Sequence, residues 1–469
     1  MNSNATLFDV GEIIARPRRQ VANVAATVTD DDVTGVAGVA LWGPLLDRLN
    51  LVDVADQRGL RPIGPGGYSG GECYRALVEV LMAGGDFVAD RSLLAGATQR
   101  LRGAHRLPSH TTLWRFCAGA DLGRASKAAA VNRTMLARAW SMGAGPQGGL
   151  VTIDPDATLV DTYGRGKEGS TFTYRHETGL SPMLGVCGET GDVLAVRARA
   201  GNASPGRAIA GFIRECAAAI PAAVKDRSNL WVRVDSAGFQ HDVFAACESL
   251  GAVFTVTAPQ RANVRAAIDR IATNPAAVWR PALNAEADKG SEIAETVLDI
   301  GSRGRRSIQR RLRLIVRRQP TTAGQQLSLD DVDGYRFHAI VTNLPGLFAP
   351  PDMVEAHHRL RGGIPEDTIR KLKEDFGLDH APLSNFFGNW LWWHACALAH
   401  NTARWLETLA LPREFRRCRG KRLRLAFFNV AARVVTHARR LWLRLPRNHT
   451  WAAAFIEALT RVRQLPAYA

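Results

Sequence analysis

A mixed α/β core with a mostly β insertion, preceded and followed by α-helical regions, is the fold class the sequence predicts. Three observations lead there. Apolar residues recur at helical spacing up to about residue 145, switch to alternation and short apolar runs from residue 150, and return to helical spacing from 353 onward. With 469 residues the chain exceeds one ordinary core and suits two or three domains. Hydrophobic content of 46% and charged content of 22% are globular values, which excludes global disorder.

Residues 1 to about 30 are polar, with a basic PRR patch and a TVTDDD boundary, and read as an arm. GVALWGPLLDRLNLVDVADQRG has the spacing of one packed helix with a glycine stop. The connector PIGPGGYSGG follows no strand and lacks a Lys-Ser/Thr ending, so it is not a phosphate cradle. ECYRALVEVLMAGG is helical, and Ser109 can cap a further helix that presents Arg115. This helical region spans 1–148.

VTIDPDATLV then begins a sheet, and PMLGVCGETGDVLAVRARAG reads as two strands around the turn ETGD. Helix 206–220, strand LWVRVD, helix HDVFAACESLG and strand AVFTVTAP complete the order β-β-β-α-β-α-β over 149–258. With a right-handed crossover after the meander, that is the order of an RNase H-like core. Residues 259–350 contain one helix and several β runs, including RRLRLIVRRQP and YRFHAIVTN, and read as an insertion. Residues 351–400 return to the core, and 401–469 read as a basic helical C-terminal region.

The balance of 60 Lys and Arg against 44 Asp and Glu gives a net charge of +16, which fits a polyanionic partner or a genome rich in Arg codons. Seven cysteines are scattered singly, so neither a zinc finger nor a disulfide framework is supported. The N-terminus has no signal-like apolar segment, and no uninterrupted apolar run reaches about 18 residues. A cytoplasmic protein is expected.

Three acidic positions carry candidate chemistry. Asp154 and Asp156 share one face of a strand, so either could be the working carboxylate, and Pro155 between them argues for a bulge or a strand end. Asp235 stands where an apolar strand meets a Ser-Ala-Gly turn, a position that suits a functional residue or a simple cap. Glu366, Arg370 and Lys373 recur on one face of an amphipathic helix whose apolar stripe is Ile369, Leu372 and Phe376. The aromatic cluster Phe386, Phe387, Trp390, Trp392 and Trp393 fits helical core packing better than base stacking, and the run Arg416 to Arg424 fits either phosphate contacts or a solvated face.

DATLVDTYG, RARAGNASPG, RVDSAGF, HHRLRGGIPEDTIRKLKEDFGLDHAP and FFGNWLWWHACALAHN together resemble bacterial insertion-sequence transposases of the DDE type, and are similar to the IS1380 family of the IS4-like group. The resemblance covers most of the chain. It implies that Asp156, Asp235 and Glu366 are the catalytic residues and hold two Mg²⁺ ions, with Mn²⁺ as a substitute. It also implies a helical DNA-binding domain over 1–148, cleavage at the ends of the element, and attack of the freed 3′-OH on target DNA by a homodimer. DNA contacts fall on Arg361, Arg370, Lys373, Arg416, Arg417 and Lys421. The group's Tyr, Arg, Glu and Lys signature maps onto His358, Arg361, Glu366 and Lys373. Here His replaces Tyr, and one additional residue separates Arg361 from Glu366. A structure-selective nuclease, a non-catalytic DNA-binding descendant and a nucleotide-sugar transferase using Asp154 and Asp156 are the competing readings.

Overall fold

The computed structural model describes residues 30–60, 67–163, 166–173, 175–204, 206–301, 309–321, 331–332 and 334–468. The expected N-terminal arm and the start of the glycine-rich connector therefore lie outside the described residues, apart from Asp30 at the arm's edge.

The sheet of the core begins with β1 (Leu150–Ala157), β2 (Met183–Cys187) and β3 (Val193–Arg197). They form an antiparallel meander, and β2 turns into β3 through Thr190 and Gly191 as the ETGD segment requires. Helix α1 (Ile209–Ala219) leads to β4 (Asn229–Val234), and α2 (His241–Ser249) leads to β5 (Val253–Thr257). β4 pairs with β1 and β5 with β4, both parallel, so the order β3-β2-β1-β4-β5 reproduces the RNase H-like pattern.

After α3 (Ala262–Ala272) come the long strands β6 (Glu292–Gly301), β7 (Gln309–Pro320) and β8 (Tyr335–Thr342). β8 pairs antiparallel with β5, so the expected insertion extends the core sheet edge to edge, giving ten strands in one sheet. Alternation of Leu312, Leu314 and Val316 with Arg311, Arg313 and Arg317 fits a strand with one face on the core.

The helices that follow are α4 (Pro351–Arg359), α5 (Ile364–Asp375) and α6 (Phe386–Leu409). α6 is apolar almost all round because it is buried almost all round. Trp392 and Trp393 are fully buried, and the indole N–H groups of Trp390, Trp392 and Trp393 donate to the carbonyls of Val196, Gly377 and His380. Asn401 accepts from the Val193 N–H at 2.8 Å and donates to the Val193 carbonyl at 2.9 Å, covering the edge of β3 much as another strand would. The aromatic cluster is core, as its spacing implied.

Two expectations require correction. The segment read as one N-terminal helix is two, Val39–Arg48 and Leu51–Gln57, because Asn50 adopts a left-handed φ of 55° between them. The C-terminal region is not wholly helical. Ala432–His437 and Arg440–Arg444 form an antiparallel hairpin that also pairs with Val33–Thr34, ahead of a last helix, Ala452–Gln464. Val434, Val435 and Thr436 favour the extended chain, and a two-residue turn at Ala438 and Arg439, with φ of 49° and 60°, closes it without glycine or asparagine. The boundary at residue 400 falls inside α6. One hydrophobic cluster joins Trp42 and Leu77 of the first helices, Ile153 and Phe254 of the sheet, and Trp405 of α6.

Candidate active site

The two strands that meet at the centre of the sheet place two carboxylates side by side. Their parallel register pairs Ile153 with Val232, so Asp154 and Arg233 come next in step, and Asp156 and Asp235 follow two residues later on the same face. Pairing to β4 stops at Ile153, just before Pro155, which lacks the N–H that a ladder needs, while β1 continues against β2 as far as Ala157. Both a strand and a strand end are therefore present at this proline, one on each side.

The lower rung is structural. Arg233 donates from Nε and Nη2 to the two oxygens of Asp154, at 2.8 and 2.6 Å, and both side chains are buried. Burial holds the Asp154 carboxyl above its ordinary value against the opposing pull of Arg233. Gly188 leaves room for the pair, since a Cβ there would stand 2.7 Å from Arg233 Nη2. The remaining Arg233 nitrogen, Nη1, donates to the carbonyl of His357 at 2.7 Å and fixes the end of α4 to β4.

The upper rung faces solvent. Asp235 caps the turn after β4 by accepting from the Ala237 N–H at 3.0 Å. Asp156 is partly exposed, takes the Ala157 N–H at 2.8 Å and meets Arg361 Nη2 at 3.0 Å. Burial raises the Asp156 carboxyl, Arg361 lowers it, and the charges of Asp235 and Glu366 raise it. Asp235 and Glu366, from segments far apart in sequence, thus both act on Asp156. Glu366 stands exposed in the first turn of α5, after Pro365, where the helix dipole favours a carboxylate.

Asp156, Glu366, Arg370 and Lys373 line one open cleft of about 440 Å³. Lys373 donates to the Leu159 carbonyl at 2.9 Å and pairs with Asp379 at 2.9 Å, while Arg370 pairs with Asp367. Within the basic run, Arg416 and Lys421 are exposed, and Arg417 donates its N–H to Glu407 at 2.6 Å and its guanidinium to the Glu189 carbonyl at 3.3 Å. Lys371 donates to the Arg417 carbonyl at 3.0 Å and the Gly420 N–H donates to Asp375 at 3.0 Å, so the run is bound to the helix of Glu366. Three of its cations face structure rather than solvent alone: Arg419 pairs with Glu374, Arg422 lies 4.8 Å over Trp451, and Arg424 reaches the Leu81 carbonyl.

His358 is buried, with Nδ1 2.9 Å from the Thr255 hydroxyl and Nε2 3.1 Å from that of Thr257. Burial, reinforced by His338 and Arg361, keeps it neutral. It bolts α4 to β5, which with the Arg233 contact delivers Arg361 onto Asp156. The Asp154 and Arg233 pair, and the counter-charge on Asp156, had gone unrecognised in the sequence. Their signal is the parallel spacing of Asp154 and Asp156 in one strand and Arg233 and Asp235 in the next.

The donor set of two aspartates and a glutamate suits a hard divalent cation. Among the described residues, no group of three or more His, Cys, Asp or Glu side chains is drawn together as a ready metal cluster. The residues fit Mg²⁺ in chemistry, with Arg361 as a competitor for Asp156. No described helix is long and apolar enough to cross a membrane.

The large mixed sheet has the strand order expected of an RNase H-like core, with Asp156 and Asp235 at the ends of its two central strands. Residues 80–467 match the family model described as Transposase DDE domain group 1, and the chain belongs to that family. Membership implies DNA transposition. No curated protein matches the chain. Among solved structures, a cryo-EM structure of the piggyBac transposase synaptic complex with hairpin DNA aligns with a TM-score of 0.36 and 11% identity, over 79% of this chain and 74% of that one.

Proposed function

We propose that the chain is a metal-dependent DNA transposase of an insertion sequence, of IS1380 type, with Asp156, Asp235 and Glu366 as metal ligands and catalytic residues. The observation that carries this reading is geometric: the parallel register of β1 and β4 sets Asp156 and Asp235 on one face, and Asp156 and Glu366 line one open cleft. Two Mg²⁺ ions, or Mn²⁺, when bound there supply Lewis-acid stabilisation of the charge that develops in phosphodiester transfer. β1 and β4 orient the two aspartates, and the first turn of α5 orients the glutamate.

The cations of this chain work on the DNA. Lys373, held at the Leu159 carbonyl, contacts a phosphate beside the scissile bond, and Arg370 contacts its neighbour. Arg361 limits repulsion among the acids in the free protein and turns to DNA phosphate when the ends bind. Arg416, Arg417 and Lys421 extend the phosphate-binding surface in the segment bound to that helix, and the helices before residue 149 grip the terminal repeats. Two element ends must be joined, so the working form is a homodimer.

The test is incubation of the purified chain with Mg²⁺ and labelled DNA carrying the ends of its own element, comparing wild type with Asp235→Ala. Wild type should nick the end and transfer a pre-cut 3′-OH to target DNA, and the variant should do neither while still binding DNA. Equal products from both proteins reject Asp235 as a ligand. Cleavage without strand transfer by wild type points to a nuclease.

A further inference from the structure

We infer that the C-terminal β-hairpin, Ala432–His437 with Arg440–Arg444, is a second docking surface for duplex DNA, separate from the cleavage cleft. The inference rests on the reading that the chain acts on DNA. From residue 415 to 456 the sequence contains no Asp or Glu and eleven Lys or Arg. The hairpin is where this stretch is most exposed.

Its register sorts the residues by face. Arg433 opposes Arg444, Val435 opposes Trp442 and His437 opposes Arg440, all on one side. Val434 and Leu443 take the other side, where Val434 is fully buried and Arg100 donates to its carbonyl at 2.7 Å. The outward face is therefore two pairs of basic residues bracketing an aromatic, and Trp442 is 50% exposed. Like charges directly opposed across strands weaken a hairpin. Among the described residues only Arg433 is relieved, by Asp30 at 2.8 Å. Among the described residues, Arg439, Arg440, Arg444 and Arg447 make no ion pair.

The turn repeats the pattern. Arg439 occupies a left-handed position, φ 60°, that a glycine or asparagine would fill with less strain. A cation at the tip, a cation pair on the flank and an exposed indole between them are costs to the fold that a polyanion repays. A two-stranded ribbon fits the major groove of B-DNA, with arginines on phosphates and Trp442 against the sugar and base edges. Because Asp30 and Asp32 flank the first strand, the second strand, Arg440 to Arg444, is the one that faces the duplex.

The test uses the full chain in EDTA, so that binding is read without cleavage. Affinity for duplex DNA is measured across a salt series for wild type, for Arg440→Gln with Arg444→Gln and for Trp442→Ala. Loss of two phosphate contacts should lower the slope of log affinity against log salt by roughly 1.8 and weaken binding about tenfold at moderate salt. The glutamine variant should keep or raise its melting temperature, which separates lost contact from lost fold. A wild-type slope and affinity in the glutamine variant overturns the inference and leaves the active-site reading intact. Hairpin-dependent binding to anionic phospholipid vesicles with hairpin-independent binding to DNA also overturns it.

Discussion

Asp154 and Asp156 are two residues apart on one strand face, yet their surroundings give them opposite work. Asp154 is buried against Arg233, so Asp154→Asn leaves a guanidinium charge without its partner and should cost about 3–5 kcal/mol. Asp156→Asn removes a partly exposed carboxylate on which Arg361 opposes Asp235 and Glu366, and should shift stability by no more than about 0.5 kcal/mol. Urea midpoints of the two variants measure the contrast, and equal losses would remove the distinction between a structural and a working aspartate. Histidines supply a second prediction at this scale. His400 is buried, its Nε2–H donates to the Gly191 carbonyl at 3.0 Å, and burial depresses it to about 3. Its contribution is present above the unfolded value of 6.5 and is lost as pH falls toward the folded value, because the unfolded chain takes up the proton first. Between pH 7.5 and 5.5, wild type should therefore lose about 1.4 kcal/mol more than His400→Gln. Parallel pH profiles would contradict the neutral buried imidazole.

At the scale of elements, the readable parts were those whose pattern is local. Alternation gave the meander and the parallel strands, and the capping serine at 109 accepts from the Thr112 N–H as its position implied. Pro155 was read as a tension between strand and break, and it is both, because its missing N–H faces only one neighbour. The C-terminal hairpin was hidden by its turn: Ala438 and Arg439 carry no turn signal, and their left-handed backbone is imposed by the pairing of Thr436 with Leu441 and His437 with Arg440. Ala438→Gly should relieve that strain and raise stability by about 1 kcal/mol, read as a shift in thermal midpoint. A loss of similar size would place the turn elsewhere.

Across the whole molecule, distant segments close on one another in ways spacing could not reveal. Val33 and Thr34 pair with Arg433 and Ala432, the Trp42 ring meets Phe428 edge-on at 5.2 Å, and the Tyr468 N–H donates to the Arg48 carbonyl at 2.9 Å. Each contact depends on three-dimensional closure, and the sequence read as separate helical, β and basic regions because each has its own local pattern. Truncation after residue 431 should therefore speed hydrogen exchange in Val39–Arg48, although that helix lies almost 400 residues away in sequence. Unchanged protection there would mean that the first helices stand alone. The three acids obey the same logic: strand register unites Asp156 with Asp235, while the anchoring of α4 by Arg233 and His358 brings the chain back toward Glu366.

The most direct measurement is the number of Mn²⁺ ions held by the DNA-bound protein, read by electron paramagnetic resonance for wild type and for Asp156→Asn, Asp235→Asn and Glu366→Gln singly. Wild type should hold two ions, and every substitution should reduce that occupancy while DNA stays bound. Full occupancy in any one of the three variants would show that its carboxylate is no part of a shared metal site.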